Sequence, residues 1–110
     1  MEITTRTDSN VLIVDFDGRL DTQTSGPAAD RMDEITAAGN KNILLNLEKM
    51  EFISSAGLRV FLRTAKQLKS SGGNMKACSP NGVVKEVMEI SGFNTLFDLH
   101  ESEQAALEAF

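Results

Sequence analysis

Two adjacent serines, Ser54 and Ser55, stand where a short apolar stretch meets a long amphipathic one. The segment 52–62 reads FISSAGLRVFL, which predicts that these hydroxyls lie at the start of a helix, where the first backbone N–H groups have no partner within the helix. A serine at this place commonly caps the helix. A serine on an exposed loop can also accept a phosphate, whose charge of about −1.5 to −2 the helix dipole would stabilise. The residue types alone leave both interpretations open.

A catalytic role for either serine lacks the necessary partner. An attacking serine needs a general base within hydrogen-bond reach, and the single histidine, His100, lies far along the chain. The chain also has one cysteine, no tyrosine, no tryptophan, and none of the motifs HExxH, CxxC, GxSxG or GxxxxGK[ST]. We therefore expect no catalytic residue, no metal site and no cofactor, and hence a protein that is not an enzyme.

Three aspartates accompany the end of the second predicted strand. Asp15 and Asp17 fall on one face of that strand, as solvated strand charges commonly do. Asp21 follows Gly-Arg-Leu at a sharp break in the pattern. It either caps the next turn or, if both loops lie at one end of the sheet, faces the loop that carries Ser55.

A strip of cations follows the two serines. Arg59, Arg63, Lys66 and Lys69 recur at helical spacing, so that four of the eleven cations of the chain lie within eleven residues. The strip is either the solvated face of the helix or a basic surface that steers an acidic partner. Arg59 lies one turn beyond Ser55.

Length and charge narrow the class of protein further. With 110 residues and a formal net charge of −5, the chain is the size of one domain, 1–110, and has no overall basic field to attract nucleic acid. The start, MEITTRTDSN, lacks a basic stretch followed by an apolar run, and no segment approaches the ~18 apolar residues of a membrane span. We expect a cytoplasmic protein that does not insert into a membrane and that is a monomer.

The elements that must position these residues follow from periodicity and turn signals. Strands alternate with helices after an initial hairpin, which predicts a mixed sheet, parallel in its later part, of the α/β or α+β class. The segment 42–47 is predicted to be a central strand covered on both faces. The expected strands are 2–7, 11–17, 42–47, 74–78 and, at an edge, 95–99. The expected helices start at Pro27, at Ser54-Ser55, at Ser79-Pro80 and at Ser102.

Four segments together resemble the bacterial anti-sigma factor antagonists, whose domain has the STAS fold. They are GRLD at 18–21, ILLNLEKMEFISSAGLRVFL at 43–62, KSSGGNMKACSPNGVVKEVMEISGF at 69–93 and LF at 96–97. The resemblance covers essentially the whole chain. It implies an α/β fold, a STAS-like mixed sheet of four to five strands with about four helices packed largely on one side.

The resemblance also implies a function, which is partner switching in the regulation of transcription. In that family the unphosphorylated protein binds an anti-sigma factor that is a serine kinase of the histidine-kinase-like ATPase type, and so frees a sigma factor. Phosphorylation ends the binding, and a PP2C-type phosphatase restores it. The acceptor serine of the Asp-Ser-Ser/Thr-Gly-Leu motif corresponds to Ser55 here. The partner-binding residues implied are Asp21, Thr22, Asn46, Ser54, Ser55, Ala56, Gly57 and Arg59.

The sequence departs from the family motif at three positions. Ser54 replaces the usual aspartate, Ala56 replaces the second hydroxyl residue, and Arg59 stands where a glycine is common. Loss of the aspartate makes Ser54 a rival acceptor, and Arg59 either pairs with a phosphoserine or changes the choice of partner. Two alternatives remain, a STAS subunit of a membrane lipid transporter or stress-sensing assembly, and a module that binds a nucleotide between loops 18–26 and 52–57.

Overall fold

The computed structural model describes residues 1–92 and 98–110, and these form six strands and four helices. In chain order they are β1 (Glu2–Asp8), β2 (Val11–Leu20), α1 (Ser25–Ala37), β3 (Asn42–Asn46), β4 (Met50–Ile53), α2 (Ser55–Ser70), β5 (Asn74–Cys78), α3 (Gly82–Ile90), β6 (Asp98–His100) and α4 (Glu103–Glu108). The α/β class is confirmed. Part of the predicted strand 95–99, the Leu-Phe pair at 96–97 and Phe93 lie outside the described residues.

One mixed sheet holds all six strands in the order β1-β2-β3-β5-β6, with β4 paired to the end of β2. β1 and β2 form an antiparallel hairpin, and every other pairing is parallel. β3 lies at the centre, with four of its five residues buried. This confirms the predicted hairpin and central strand.

β4 is the strand that the sequence analysis missed, and it raises the count above the four to five expected. It pairs with Gly18–Leu20 of β2, and the register shifts between Gly18 and Arg19. Gly18 has a φ of +115°, a conformation that glycine adopts readily, and its N–H donates to the carbonyl oxygen of Lys49 at 3.0 Å. The long-range partner, rather than any alternation within residues 48–52, makes this segment a strand.

Two helices begin elsewhere than predicted. α1 begins at Ser25, two residues before Pro27. α3 begins at Gly82 instead of at Pro80, since Asn81 Oδ1 accepts the N–H of Val84 at 2.8 Å. At α3 the side-chain cap of Asn81, and not the proline before it, marks the start of the helix.

The helices cover the two faces of the sheet unequally. α1, α2 and α3 pack on one face over a large core that includes Phe16, Leu45 and Phe61. Of the described helices, only α4 packs on the other face, where Ala106 meets Leu44 and Cys78. Successive residues of a strand face opposite sides, so β3 supplies Leu44 to one core and Leu45 to the other. The helices therefore lie largely on one side, as predicted. No helix among the described residues is long and apolar enough to cross a membrane.

Candidate functional site

Ser54 and Ser55 have different roles at the start of α2. Ser54 is the N-cap: its backbone is extended, and its hydroxyl oxygen accepts the N–H of Gly57 at 3.3 Å. Ser55 is the first helical residue and is exposed, and its side chain makes no hydrogen bond to the described residues. The sequence left two interpretations open, a helix cap and a phosphate acceptor. The structure places the cap at Ser54 and, within the described residues, a free hydroxyl at its neighbour, Ser55.

Close packing fixes this helix start against the end of β2. The N–H of Ser54 donates to the carbonyl oxygen of Leu20 at 2.9 Å. A Cβ atom at Gly57 would lie 2.8 Å from Leu20 Cγ and 2.9 Å from Ile53 Cγ1. Gly57 is therefore needed for the approach of α2 to β2, and it is buried, so its part in the site is to place its neighbours.

Asp21 lies in the loop that follows β2 and orders the turn into α1. Its Oδ1 accepts the N–H groups of Gln23 at 3.0 Å and Thr24 at 3.2 Å. Because Leu20 pairs with Ile53, this loop and the α2 start lie at the same end of the sheet. The structure thus makes Asp21 a cap and also brings it to the Ser55 end, with Thr22 exposed beside it.

The cations of α2 are not equivalent. Arg63 forms an ion pair with Asp33 of α1 at 2.9 Å, so it joins two helices. Arg59, Lys66 and Lys69 are exposed and form no ion pair with the described residues. Arg59 is the member of this strip nearest Ser55, one turn along the helix, and the part-buried Ala56 lies between them in sequence.

Arg19 and Phe52 form a pair that the sequence analysis did not single out. Arg19 lies opposite Phe52 in the β2–β4 ladder, and its guanidinium carbon lies 4.6 Å from the centre of the Phe52 ring. The Arg19 side chain remains 59% exposed. Only the pairing of β4 with β2, which alternation within β4 does not reveal, brings these two side chains together.

Asn46, one of the partner-binding residues that the resemblance implies, lies away from the start of α2. It is 7% exposed and pairs with Asp15, five residues before Leu20, which is roughly 16 Å along the strand. Its Nδ2 donates to Glu103 Oε1 at 2.9 Å, and its Oδ1 accepts the N–H of Glu48. Asn46 therefore belongs to the α4 side of the sheet.

That side carries an ionic cluster formed by Arg6, Asp15, Asn46 and Glu103, called the Arg6 cluster below. Arg6 donates to both carboxylate oxygens of Asp15, at 2.7 and 2.9 Å, and to both of Glu103. The hydrogen bond from Arg6 holds the pKa of the Glu103 carboxyl below its usual range. Arg6 and Glu103 stand 97 residues apart, so no local pattern could have paired them.

The remaining residues with reactive side chains lie away from Ser55. Cys78 is buried beneath α4, and burial raises the pKa of its thiol to about 11. His100 pairs with Cys78 in the β5–β6 ladder. β6 lies three strand spacings from β2, roughly 14 Å, so the imidazole is not placed to serve Ser55 as a base.

A cavity of about 850 Å³ opens beside the Arg6 cluster and bears on the nucleotide alternative. Its charged lining has six carboxylates and two cations, which are Glu2, Asp15, Asp17, Glu48, Glu101, Glu103, Arg6 and Lys49. An excess of carboxylates repels phosphate groups. This cavity does not fit a nucleotide, and it is lined by neither of the loops that the alternative requires.

Comparison with known proteins gives consistent matches. The model of the STAS domain family matches residues 2–106. An anti-sigma F factor antagonist of Paenibacillus polymyxa is 35% identical over 98 residues, which cover 88% of this chain and 84% of that protein. A Bordetella bronchiseptica protein named as an anti-sigma factor antagonist is 44% identical over 72 residues, 66% of this chain and 62% of that protein. That match thus spans less than two thirds of the Bordetella protein.

Solved structures match over almost the full length. A Thermotoga maritima protein named as an anti-sigma factor antagonist superposes with a TM-score of 0.92 at 24% identity, covering 97% of this chain and 92% of its own. Bacillus SpoIIAA gives 0.83 at 18% identity in its unphosphorylated form, covering 98% of this chain and 95% of its own. Its phosphorylated form gives 0.74 at 17% identity and covers 98% of each chain. At these identities the likeness shows the fold alone.

Proposed function

The chain belongs to the STAS domain family, and from that premise we propose that it is an anti-sigma factor antagonist that switches partners through phosphorylation of Ser55. In its unphosphorylated form it binds an anti-sigma factor that is a serine kinase. Phosphorylation of Ser55 releases that kinase, and a PP2C-type phosphatase reverses the change. Ser55 is thus a substrate, while the kinase supplies ATP, metal ion and base.

One observation carries the proposal: the two serines differ in their hydrogen bonds. The Ser54 hydroxyl accepts the N–H of Gly57, whereas the exposed Ser55 hydroxyl makes no hydrogen bond to the described residues. A kinase can take the Ser55 hydroxyl without dismantling the helix cap. Phosphorylation of Ser54 would modify the hydroxyl oxygen that accepts the N–H of Gly57, so the cap would have to rearrange.

The electrostatics of the α2 start suit a reversible charge. The first turn of α2 has no acidic residue, so its N–H groups face no resident carboxylate on their own helix. A phosphate of about −1.5 to −2 charges at Ser55 is locally stabilised by the helix dipole. The same charge weakens an interface that was closed over a neutral hydroxyl, because it must be desolvated there. The phosphorylated protein stays folded while its docking surface changes.

The surface that meets the kinase is proposed to comprise Asp21, Thr22 and the α2 start from Ser54 to Arg59. These residues lie at one end of the sheet, because β4 and β2 end side by side and Ser54 binds Leu20. Asn46 is left out, since it lies in the Arg6 cluster and is almost fully buried. The relatives named as anti-sigma factor antagonists favour an anti-sigma factor as the partner.

A capture experiment tests the switch. The wild-type protein and the Ser55→Asp and Ser55→Ala variants are immobilised and exposed to lysate of the source cell, and captured proteins are identified by mass spectrometry. We expect a histidine-kinase-like serine kinase with wild type and Ser55→Ala, and a hundredfold or greater loss of affinity with Ser55→Asp. Ser70→Asp is the control, because Ser70 is an exposed residue of the same helix at its far end. Equal binding of that kinase by wild type and Ser55→Asp would contradict the switch.

A second experiment assigns the acceptor. The captured kinase is incubated with ATP and each variant, and the phosphorylated residue is located by mass spectrometry. Ser54→Asn keeps a good helix cap but removes the rival hydroxyl, and we expect it to be phosphorylated as wild type is. Ser55→Ala is expected to remain unphosphorylated. Phosphate on Ser54 in the wild type would refute the assignment.

The capture experiment also tests the alternative that this chain is a subunit of a transporter. A transporter complex that binds wild type and Ser55→Asp equally would mean that this chain is a structural subunit. Ser55 would then be an ordinary exposed helix residue.

A further inference from the structure

Arg19 differs from the other arginines of the chain in how it is held. Arg6 and Arg63 donate to carboxylates at 2.9 Å or less, so their charges are already engaged. Arg31 pairs with Glu34 of its own helix at 3.6 Å, and Arg59 is exposed and forms no ion pair with the described residues. Arg19 is stacked on Phe52 at 4.6 Å, and its nearest carboxylate oxygen, on Asp21, is 3.9 Å away.

Stacking orders the Arg19 guanidinium without using its hydrogen-bond donors. Within the described part of the chain, the side chain donates no hydrogen bond, and it is 59% exposed. Its backbone is fixed as well, because the Arg19 carbonyl oxygen accepts the Thr24 hydroxyl at 2.8 Å. An arginine that is already ordered loses less conformational freedom when an acceptor binds, and its planar fork matches a carboxylate.

The position of this pair connects it to the site of the proposed function. Phe52 stands three residues before Ser55, and Arg19 two residues before Asp21. Leu20 and Ile53, the buried neighbours, face the core, so Arg19 and Phe52 lie on the opposite side of the β2–β4 ribbon, where Arg19 is exposed and Phe52 is half-buried. Arginine and aromatic residues are the types that dominate binding energy at protein interfaces.

We infer that Arg19, stacked on Phe52, anchors the surface beside Ser55 that docks the kinase, and that it binds a carboxylate of that partner. The inference rests on the proposed function and adds a specificity-determining residue to it. The complementary charge belongs on the kinase because Arg19 meets one carboxylate oxygen among the described residues, Asp21 Oδ2 at 3.9 Å, and this oxygen lies beyond hydrogen-bond distance. The other oxygen of Asp21, Oδ1, accepts the N–H groups of Gln23 and Thr24. Arg19 therefore selects partners that present an acidic residue there and disfavours partners that present a basic one.

Binding of the purified kinase obtained in the Ser55 capture tests this inference by calorimetry. Arg19→Ala is expected to lower the affinity at least tenfold. Arg19→Lys and Phe52→Leu are expected to lower it less, because each keeps the charge but loses the stacked, planar arrangement. Lys69→Ala is the control, since it removes one exposed charge at the other end of α2, roughly 21 Å from Ser55, and we expect a change below twofold.

A double variant separates Phe52 from an independent contact. If Phe52 acts by holding Arg19, Phe52→Leu has little further effect once Arg19→Ala is present. Additive losses would overturn the stacked anchor. Melting temperatures of all variants are measured in parallel, and we expect them within about 2 °C of wild type because both side chains lie outside the core.

The outcomes are distinguishable from failure of the switch. If wild type binds no such kinase, the proposed function fails and this inference fails with it. If wild type binds and Arg19→Ala binds equally, the Arg19 inference alone is overturned. It is also overturned if Arg19 serves the phosphate of Ser55 in the same chain, which ³¹P NMR of the phosphorylated protein would reveal as a phosphate pKa that shifts in Arg19→Ala while kinase affinity stays unchanged.

Discussion

The starts of α2 and α4 have the same kind of serine cap but differ in the charge of the first helical residue. Each helix has a serine cap whose hydroxyl oxygen accepts an N–H group three residues on, Ser54 in α2 and Ser102 in α4. The first helical residue is Ser55 in α2 and Glu103 in α4. Glu103 is a permanent negative charge bound by Arg6, whereas Ser55 is neutral and unbonded within the described residues. The same position is thus filled with charge at one helix and left without charge at the other.

A phosphate at Ser55 would resemble the carboxylate of Glu103 in its place on the helix. It would give α2 the kind of charge that Glu103 already gives α4, but one that a kinase adds and a phosphatase removes. At α4 the charge is paired with Arg6 of β1. At α2 the helix is held without it, by the contacts of Gly57 with Leu20 and Ile53, so the charge is free to act on a partner.

The largest expected effect comes from breaking the packing at the α2 start. Gly57→Ala would place a Cβ atom within 2.9 Å of Leu20 and Ile53, and we expect the free energy of unfolding to fall by about 2–3 kcal/mol. Urea denaturation measures it. Gly26→Ala is the matched control, since no atom lies within 4 Å of its added Cβ and alanine favours a helix. Equal stability of the two variants would mean that the α2 start can shift to accommodate the added Cβ atom without loss of stability.

A smaller effect is expected from breaking the charge at the α4 start. Arg6→Met leaves the carboxylates of Asp15 and Glu103 unpaired, and we expect α4 to open more readily by about 1 kcal/mol, because the Arg6 side chain is 48% exposed and its ion pairs are partly screened. Cys78 lies buried under α4, so its rate of labelling by a thiol reagent reports the opening. Arg31→Met, which removes a pair at 3.6 Å on α1, is the control. Labelling no faster than in wild type would show that Arg6 does not hold α4.

The pH dependence sharpens the same contrast. The pKa of Glu103 is lowered by the hydrogen bond from Arg6, so the folded state binds this proton less readily than the unfolded state does. The stabilisation is therefore present above the usual glutamate pKa of about 4.5 and is lost as the pH falls through the lowered value. We expect the free energy of unfolding, measured by urea denaturation, to fall more in wild type than in Glu103→Gln as the pH is lowered through this range. Parallel curves for the two proteins would contradict this.

The sequence predicted the α2 start well because the signals there are local. The serines, the glycine after them and the apolar spacing of α2 lie within a few residues of one another, and the helix begins where they predict. β4 and the Arg19–Phe52 pair could not be predicted, because they exist only through the pairing of Gly18–Leu20 with a segment some 30 residues away. The contacts of Asn46 could not be predicted for a related reason. Its place on the α4 face depends on Glu103, which is 57 residues distant.

The smallest effect concerns the sign of a charge at the two ends of α2. Ser55→Asp places a negative charge at the positive end of the helix dipole, and Ser70→Asp places one at the negative end. We expect the first to raise the free energy of unfolding by about 0.5 kcal/mol and the second to lower it by a similar amount, with both changes reduced by salt. Urea denaturation at low and high salt measures them. A lower stability of both variants would mean that the α2 start does not favour negative charge.

The sign of that change decides how the Ser55→Asp capture result is interpreted. If the variant loses its kinase while its own stability rises, the loss cannot come from unfolding of the α2 start. It must come from the docked surface, where a charge meets groups that had closed over a neutral hydroxyl. Loss of kinase binding by Ser55→Asp, together with a rise in its own stability, would therefore place the switch at the interface.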